Sequence, residues 1–493
     1  MKRNSRVLSF SGIKQINRSR LAPIIILFSL ITAYVLFFSV ISIDEHNRFH
    51  TKSFDLGIFD QAIWQYSRFS IPFNTVRGLN ILGDHFTLIN AIISPLYWFI
   101  DDVRALLVLQ TLVLAAAAIP LYFIGKYFLK NQWIPLVFCF TYLLFPAIQH
   151  ANFLDYHPEV FVPLFVLSSF YFIMRGHEWL YFLFFFLTLF VKEEIALTTF
   201  LMGIYIYFKH DKKIGILTSA FSLLWFILVI KGFIPLFNDA GFMYTDRGLG
   251  NFGNNPLEIL LGFLNPKILF HVLFNHENAE YTWQLFSPVG FLALLNLFTL
   301  IIAASLWTNL TSAWPYAHSI HYHYVLPIVP FIFISSIIGF SRFKKRKIVA
   351  YSLLFILIIS SLISNNYLAP YYASMKNHKI IADKLRNFNV LPENEEQIYY
   401  MMSLIPKNAS VSASYTIVPH LTHRDKIYDF TNPFKAQYWG NFKEGYPPEY
   451  VDYLLLSKTQ IIEQNLILQP LMENNTYKEI YESESFKLLK KQS

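Results

Sequence analysis

Long apolar runs dominate the pattern of hydrophobic and polar positions along the chain. Charged residues are absent from 21–43, 105–124, 214–230 and 348–363. A bilayer core about 30 Å thick requires about 20 apolar residues in a helix, so each run is close to the length of a membrane span. The cores of a soluble protein would not contain so many runs of this kind. The pattern therefore predicts a polytopic membrane protein.

The apolar runs and the charges beside them predict about eleven spanning helices. These spans are about 21–43, 103–125, 133–149, 159–174, 179–191, 195–208, 214–235, two short spans within 283–311, 324–340 and 348–364. We expect the two short spans to separate near Asn296. A single long span there would move the basic cluster at 342–347 to the outer side, against the tendency of Lys and Arg to remain in the cytoplasm.

Basic residues also define the predicted orientation. The segment 1–20 contains no acidic residue and carries Lys2, Arg3, Arg6, Lys14, Arg18 and Arg20. The positive-inside rule places this segment in the cytoplasm. The membrane domain then covers 21–364 and includes a large first external loop at 44–102, in which the amphipathic stretch 89–100 could lie along the membrane surface. We expect a multi-pass protein of the cytoplasmic membrane.

The chain changes character near residue 365, where polar and charged residues replace the apolar runs. Residues 409–414 alternate small and polar side chains, and a short apolar run at 453–456 follows Asp452. Strand-like segments that alternate with helical ones indicate an α/β domain. We therefore predict a small α/β domain at 365–493, and the number of spans places it outside the cytoplasm.

Composition agrees with the membrane class and excludes several others. The chain is 54% hydrophobic and 15% charged, against about 25% charged residues in soluble domains. The net charge of +8 lies beside the spans, so we expect no nucleic-acid partner. The one cysteine, Cys139, excludes a disulfide or a Cys-based metal site within the chain. Gly248, Gly250 and Gly253 have the spacing of a dinucleotide fingerprint but follow a span and not a strand, so we expect no nucleotide cofactor.

Acidic and histidine side chains concentrate in connections that are predicted on one face of the membrane. They are Asp55, Asp60, Asp84 and His85 in the first loop, Asp155, His157 and Glu159 between spans three and four, Lys192, Glu193 and Glu194 between spans five and six, and His321 and His323 before span ten. This sidedness is typical of an active site at the outer leaflet. Carboxylates could act there as a general base, and His and Glu could bind a divalent metal that neutralises a phosphate.

Each of these segments also has a structural interpretation. Asp55 and Asp60 could cap helices, His157 and Glu159 flank a proline at a predicted helix start, and the histidines before span ten could lie in the membrane interface. The triplet 192–194 is harder to explain in this way, because a charge at the bilayer centre costs about 2.5–3.5 kcal/mol. The triplet must face water, a polar cavity or partner residues.

Several of these motifs resemble a known family. They are 54–64, Asp84-His85-Phe86, Pro95-Leu96-Tyr97, His157-Pro158-Glu159, Lys192-Glu193, His323-Tyr324 and Val418-Pro419-His420-Leu421. Together they resemble the prokaryotic membrane proteins called domain of unknown function 2079, over about residues 30–460. That family is similar to the GT-C superfamily of glycosyltransferases, such as protein O-mannosyltransferases and aminoarabinose transferases. The resemblance implies many spans, an outer domain, and sugar transfer from a polyprenyl-phosphate donor with inversion at the anomeric carbon.

The resemblance also implies roles for individual residues. The first-loop acid that acts as general base on the acceptor hydroxyl matches Asp55 best and Asp60 second, although the adjacent acids typical of the superfamily occur here as Asp44-Glu45 at the end of span one. Roles at the donor phosphate or a metal are expected for Asp84, His85, His157, Glu159, Lys192, Glu193 and Glu194, with His85, His157 and Glu159 as the metal ligands. Substrate contacts are expected for Gln61, Trp64, Arg77, Asp155, His321 and His323.

The expected partners are the lipid bilayer, a polyprenyl-phosphate-linked sugar and an acceptor that could be a glycolipid, a glycan or a protein. Two other functions stay open at this point. A transporter or lipid flippase would place ionisable residues near mid-membrane and would show repeated halves. A membrane scaffold or sensor would use the outer domain to bind a partner.

Overall fold

The computed structural model describes residues 18–153, 155–370, 393–435, 450–474 and 476–492, and most of these residues are helical. The predicted cytoplasmic segment 1–20 lies mostly outside the described residues. The first helix, Arg18–Asn47, continues past the predicted end of span one, so Asp44 and Glu45 belong to its last turns.

The membrane part consists of apolar helices of two lengths. Within the described ranges, four helices are long and apolar enough to cross a bilayer, and they are Leu21–Asn47, Arg104–Leu129, Lys212–Phe237 and Lys347–Leu368. A bent pair, Ile134–Leu143 and Pro146–Phe153, adds a fifth if it forms one span with its 42° bend. Shorter apolar helices are Pro158–Met174, Glu178–Leu189, Ile195–Lys209, Leu297–Thr311 and Val329–Ser341. The membrane class is therefore confirmed, while the number eleven stays a prediction.

The chain is interrupted in the region where two short spans were predicted. Helix His276–Phe286 is followed by 3₁₀ turns at Ser287–Val289, Leu292–Leu295 and Leu297–Ile302, and then by helix Ala303–Thr311. Asn296 has an extended backbone, and its side chain accepts a hydrogen bond from Phe298 N at 2.8 Å and donates to Ser335 O at 2.7 Å. A side-chain amide thus caps the turn after the break.

The first loop folds into short elements. Their bounds are Ser53–Gly57 (a π-helical turn), Ile58–Ser67, β1 (Phe73–Asn74), β2 (Leu79–Asn80), Ile81–Asp84, Ile89–Ile93 and Ser94–Trp98. Gly57 packs closely on the C-terminal part of the chain, since a Cβ added there would lie 3.2 Å from Val418 Cγ1. The loop is therefore a folded layer between the membrane helices and the C-terminal domain.

The C-terminal domain contains a five-stranded mixed sheet. Its strands are β3 (Val411–Ala413), β4 (Ile427–Asp429), β5 (Tyr453–Ser457), β6 (Tyr477–Glu482) and β7 (Phe486–Lys491). The strand order is β4-β3-β5-β7-β6, with β3 parallel to β4 and β5, and β7 antiparallel to β5 and β6. The described helices of this domain are Glu393–Ser403, Val418–His420, Lys458–Glu463 and Asn465–Glu473. The α/β class predicted for this region is confirmed.

The sheet domain rests on the first loop through a shared hydrophobic core. Phe49, Ile58 and Ala62 of the first loop pack with Val411 and Ile417 of the domain. Burial of apolar surface from both partners is the main stabilising contribution to such a contact. The first loop and the C-terminal domain therefore form one unit above the membrane helices.

Candidate active site

Four separate segments meet in one polar cluster beneath the first loop. We call it the Lys192 cluster, and it comprises Asp55, His157, Glu159, Lys192, Glu194 and His323. The segments are the π-helical turn of the first loop, the connection before helix Pro158–Met174, the connection before helix Ile195–Lys209, and the turn before Val329–Ser341. Charged side chains, which have a high free-energy cost in lipid, thus pair with one another at the ends of neighbouring helices.

Lys192 is a buried cation at the centre of the cluster. Its Nζ lies 2.7 Å from Glu159 Oε1 and 3.7 Å from Glu194 Oε1, and it lies 5.5 Å from the centroid of the Tyr324 ring. Burial works to lower the pKa of Lys192, but the negative charges of Glu159 and Glu194 outweigh it and hold the pKa well above its usual value. Lys192 therefore carries a permanent positive charge. Of the interpretations open for the triplet 192–194, partner residues surround Lys192, while Glu194 reaches solvent.

The carboxylate of Asp55 lies against the imidazole of His157. The distance from Asp55 Oδ1 to His157 Nε2 is 3.2 Å, while His157 Nδ1 donates to the backbone carbonyl of Asp155 at 2.9 Å. Burial works to raise the pKa of Asp55, but the contact with His157, together with the charge of Lys52, outweighs it and holds the pKa below its usual value. Burial works to lower the pKa of His157, and Asp55 outweighs it and raises this pKa. The pair favours a carboxylate and an imidazolium.

Two stacked histidines join the Asp55 end of the cluster to the Lys192 end. The rings of His157 and His323 lie 3.7 Å apart between centroids, at an interplanar angle of 24°. His323 Nε2 lies 3.6 Å from Glu159 Oε1, the oxygen that also contacts Lys192. Burial and the neighbouring His157 charge hold the pKa of His323 well below its usual value, so this ring is neutral. A chain of contacts through His157, His323 and Glu159 therefore runs from Asp55 to Lys192.

Solvent reaches the cluster at two carboxylates. The side chains of Asp55 and Glu194 are 41% and 44% exposed, whereas those of Glu159 and Lys192 are nearly inaccessible. Burial, together with the charges of Glu193 and Glu159, raises the pKa of Glu194 despite the opposing effect of Lys192. Asp55 and Glu194 are therefore the two carboxylates of the cluster that a ligand could reach, and their pKa values are shifted in opposite directions.

A second group of polar residues supports the cluster from the side. Glu193 Oε1 lies 2.7 Å from His85 Nδ1, and Glu193 Oε2 accepts a hydrogen bond from Phe86 N at 3.2 Å. The His85 ring stacks on Tyr244 at 4.5 Å between centroids, at an angle of 6°. These contacts fix the position of Glu193, the residue that follows Lys192 in the chain. Tyr244 was not identified from the sequence, where it lies in a polar loop with no distinguishing motif.

Arg77 and Asp84 form a buried ion pair next to this group. Arg77 Nε and Nη2 donate to the two carboxylate oxygens of Asp84 at 3.0 and 2.7 Å, and the Tyr244 hydroxyl donates to the same carboxylate. Burial works to raise the pKa of Asp84, but Arg77 outweighs it and holds the pKa far below its usual value. The charges of both residues are thereby balanced within the pair, which lies beside the Glu193 group.

The residues proposed as metal ligands do not form a ligand set. His85 contacts Glu193, and Glu159 is paired with Lys192. A metal ion bound to Glu159 would therefore lie close to the positive charge of Lys192. In the part of the chain that the structure describes, no three or more His, Cys, Asp or Glu side chains are arranged to hold a metal ion. The donor set of His85, His157 and Glu159 therefore does not fit a metal site, and no step is assigned to a metal.

Asp60 and Gln61 lie apart from the Lys192 cluster, at the contact with the C-terminal domain. The buried Asp60 carboxylate accepts hydrogen bonds from the hydroxyls of Tyr97 and Thr422, and its Oδ2 lies 3.3 Å from His423 Nε2. Gln61 Nε2 donates to Thr75 Oγ1 at 2.9 Å and to backbone carbonyls at 424 and 425. These residues join the two layers.

Three further predicted substrate residues have different positions. Trp64 stacks on His423 at 6.0 Å between centroids, beside Asp60. Asp155 accepts a hydrogen bond from Lys52 N at 2.9 Å, and burial together with the Asp55 charge raises its pKa to about 8. His321 is exposed and contacts the His150 ring at 4.4 Å, outside the Lys192 cluster. Only Asp155 among them adjoins the cluster.

Several residues that hold these groups together had no role predicted from the sequence. They are Tyr97, Tyr244, Tyr324, Thr422 and His423. Tyr97 and Tyr324 lie inside motifs that carry the family resemblance, and His423 lies just after another. For these three residues, a position within or just after those motifs was the available sign in the sequence of a role at the site.

Comparisons with known proteins place the chain in a family and a fold. The profile of the family described as "Predicted membrane protein (DUF2079)" matches residues 45–488. The chain is similar in structure to ArnT from Cupriavidus metallidurans bound to undecaprenyl phosphate, with a TM-score of 0.55 and 12% sequence identity over 94% of this chain and 97% of that chain. The apo state of that protein gives a TM-score of 0.48 at the same identity and coverage. None of the curated proteins matches the chain. At 12% identity, the first similarity describes the GT-C fold.

Proposed function

Because the chain belongs to the DUF2079 family of predicted membrane proteins and has a GT-C fold, we propose that it is a membrane glycosyltransferase. It transfers a sugar from a polyprenyl-phosphate donor to an acceptor hydroxyl on the side of the membrane where the C-terminal domain lies. Asp55 is the general base. The observation that carries this proposal is the accessible carboxylate of Asp55 in the folded first loop, 3.2 Å from the buried imidazole of His157.

Asp55 is favoured over the other acids of the site by its environment. A general base must be ionised and must reach the proton that it removes. Glu159 is buried against Lys192, and Asp60 is enclosed by hydroxyl donors. Glu194 is as exposed as Asp55, but it lies 3.7 Å from the Lys192 ammonium, on the side where the donor phosphate would enter. Asp55 alone among these four acids is both accessible and separate from the contacts of Lys192.

Lys192 provides the charge that a phosphate leaving group requires. An ammonium has three hydrogens to donate; Glu159 is within hydrogen-bonding distance of it and Glu194 lies farther away, at 3.7 Å. A phosphate oxygen that enters beside the exposed Glu194 would receive a charge-assisted hydrogen bond from Lys192. The binding of undecaprenyl phosphate by the structurally similar ArnT supports a polyprenyl phosphate as the donor carrier.

The proposed reaction is a single displacement at the anomeric carbon. The bond between the anomeric carbon and the phosphate oxygen breaks, and its electron pair moves to the phosphate, whose charge Lys192 stabilises. The acceptor oxygen forms the new bond from the opposite face of the sugar, and its proton moves to Asp55. Inversion of the anomeric configuration follows from this geometry. His157 holds the Asp55 carboxylate in place.

Binding of the carrier lipid tests the assignment of Lys192 without knowledge of the acceptor. Purified protein in nanodiscs is titrated with undecaprenyl phosphate, and the complex is measured by native mass spectrometry. The double variant Lys192→Met/Glu159→Gln removes the cation and its buried partner together, and it should bind at least about tenfold more weakly because a charged hydrogen bond contributes about 1.5–3 kcal/mol. Asp239→Asn, an exposed residue outside the cluster, is the control. Equal binding by the double variant and the wild type would remove Lys192 from the mechanism.

A further inference from the structure

Two short helices after the seventh predicted span carry an apolar face that the rest of the described chain does not cover. They are Pro256–Leu264 and Pro266–Leu273. The first presents Leu257, Leu260, Leu261 and Leu264, each more than half exposed. Positions i, i+3, i+4 and i+7 lie on one side of a helix, so the four leucines form a continuous stripe. We call the two helices the interfacial hairpin.

The opposite side of the first helix already packs on protein. Gly262 lies so close to the backbone of Phe252 that a Cβ there would come within 2.3 Å of the Phe252 carbonyl oxygen. Phe263 stacks on Phe252 at 4.0 Å between ring centroids. The leucine stripe is therefore not the packing face of the helix. Leaving one apolar side of such a helix in water is unfavourable by roughly 25 cal/mol per Å² of apolar surface.

The hairpin packs against a neighbouring membrane helix that also has an apolar surface. Phe263 stacks on Trp307 of helix Ala303–Thr311 at 6.2 Å. Leu297 and Leu300, just before that helix, are 80% and 63% exposed, as expected for side chains that face lipid. Asn251 Nδ2 donates to the carbonyl oxygens at 311 and 312, which fixes the start of the hairpin to the end of the same helix.

The length of the hairpin excludes a spanning role. Nine residues at about 1.5 Å per residue give a helix of about 13 Å, less than half of the bilayer core of about 30 Å. Both helices also begin at capped ends, where Asn255 accepts from Glu258 N and Asn265 accepts from Lys267 N. Exposed Glu258 and Lys267 flank the apolar stripe. A short capped helix with an apolar stripe and flanking charges is suited to the plane of a membrane surface.

We propose that the interfacial hairpin lies in the leaflet on the side of the C-terminal domain, with the leucine stripe of Pro256–Leu264 among the lipid acyl chains. The lipid surface is favoured over a protein partner because the packed side of the same helix rests on Trp307 of an apolar membrane helix, which places the hairpin beside the membrane part of the chain. Phe270, Phe274 and Trp283, which follow in the chain, are also exposed, and aromatic side chains are enriched at membrane interfaces.

The position of the hairpin connects the membrane surface to the Lys192 cluster. Helix Thr245–Leu249 precedes it, and Tyr244 at the start of that helix stacks on His85, which contacts Glu193. Anchoring of the hairpin in lipid would therefore hold Tyr244 against the site. This placement does not depend on the proposed enzymatic activity, and its test uses no substrate.

Spin labels test the proposal directly, because the chain has one cysteine and it is buried. In a Cys139→Ala background, Leu261→Cys carries a nitroxide label in vesicles of phosphatidylethanolamine and phosphatidylglycerol. Collision rates with oxygen, which partitions into lipid, and with a water-soluble nickel chelate are then measured. Leu224→Cys, on the exposed side of helix Lys212–Leu228, provides the lipid reference, and Asp425→Cys on the C-terminal domain provides the water reference.

The proposal expects the label at 261 to match the lipid reference, with frequent oxygen collisions and few nickel collisions. A label that matches the water reference would overturn it. A label that is immobile and shielded from both reagents would also overturn it, because a protein partner or a second copy would then cover the stripe. Leu257→Cys and Leu264→Cys repeat the measurement on the same stripe, so the outcome does not depend on how one variant folds.

Discussion

Asp55 and Asp60 are five positions apart in one motif of the first loop, yet they occupy opposite kinds of environment. The Asp55 side chain is 41% exposed and contacts one imidazole, while that of Asp60 is 0% exposed and is enclosed by Tyr97, Thr422 and His423. Asp55 faces the Lys192 cluster, and Asp60 faces the C-terminal domain. The same residue type is thus proposed as a general base at one position and joins two layers of the structure at the other.

The contrast shows which property separates the two roles. A carboxylate whose acceptor sites are already filled by protein hydroxyls has little capacity left for a substrate proton, and its removal leaves those hydroxyls without a partner. A carboxylate with one partner and an open side can exchange protons with a ligand. Substitutions of Asp55, Lys192, Asp60 and His157 should distinguish the proposed catalytic role from the structural one, and their expected effects decrease in that order.

The largest effect is expected from Asp55→Asn. An amide cannot accept the acceptor proton, so transfer should fall about 10²- to 10⁴-fold, the range that general base catalysis provides. The melting temperature in nanodiscs should stay close to that of the wild type, because the side chain is partly exposed and has a similar shape. Steady-state transfer from an undecaprenyl-phosphate sugar to an envelope extract measures the rate. Asp239→Asn should retain full activity, and equal rates for both variants would contradict the role of Asp55.

Lys192→Met should produce the next largest effect, on stability. It leaves the buried Glu159 carboxylate without its cation, and breaking a buried ion pair costs about 3–5 kcal/mol. The second change Glu159→Gln should restore most of the melting temperature, because the remaining side chain is neutral. Thermal unfolding of the single and double variants measures both steps. No recovery in the double variant would show that the ion pair is not the stabilising feature.

Asp60→Asn should lower stability without a comparable loss of catalysis. The amide replaces an acceptor of two hydroxyl hydrogen bonds at a site with no access to water, which costs about 1–3 kcal/mol. Asp101→Asn is a matched control, because Asp101 contacts the other ring nitrogen of His423 at 2.8 Å but is 47% exposed. Thermal unfolding should separate the two variants. Transfer per folded molecule should remain near the wild-type rate in both.

The smallest effect concerns the pH dependence of the Asp55–His157 pair. The pKa of His157 is raised above 6.5, so its contribution to stability is complete below that value and is lost as pH rises through the folded-state pKa. The pKa of Asp55 is lowered below 3.8, so its contribution is present above that value and is lost as pH falls through the folded-state pKa. The pair therefore contributes most between pH 3.8 and 6.5.

His157→Gln tests this window. The difference in melting temperature between this variant and the wild type should be largest between those two pH values and should shrink at alkaline pH, where the imidazole is neutral. A difference that grows as pH rises would contradict an ion pair.

The sequence predicted much of the fold because its signals are local. The length of apolar runs such as 21–43 is enough to predict membrane helices. The alternation of small and polar side chains around β3 predicts the sheet. The interrupted helix near Asn296 was predicted from the sidedness of a basic cluster. The folded character of the first loop was missed, because its elements are short and are held by contacts with the C-terminal domain.

The candidate site was predicted as segments and not as pairs. Lys192 and Glu159 are 33 positions apart, and Asp60 and Thr422 are 362 positions apart, so neither partner is visible from local spacing. The same limit explains the metal ligands, because His85, His157 and Glu159 each contact a different partner. Pairing across a folded chain decides whether an acid is a base, a ligand or a structural anchor.

The most direct test of the central proposal follows the donor on the protein itself. Wild type and Asp55→Asn in nanodiscs are each loaded with an undecaprenyl-phosphate sugar, mixed with envelope extract, and sampled by native mass spectrometry, which distinguishes bound donor from bound undecaprenyl phosphate. The account predicts that the wild type converts bound donor to undecaprenyl phosphate, while Asp55→Asn binds the donor equally well and keeps it intact. Conversion of the donor by Asp55→Asn at the wild-type rate would contradict the assignment of Asp55 as the general base.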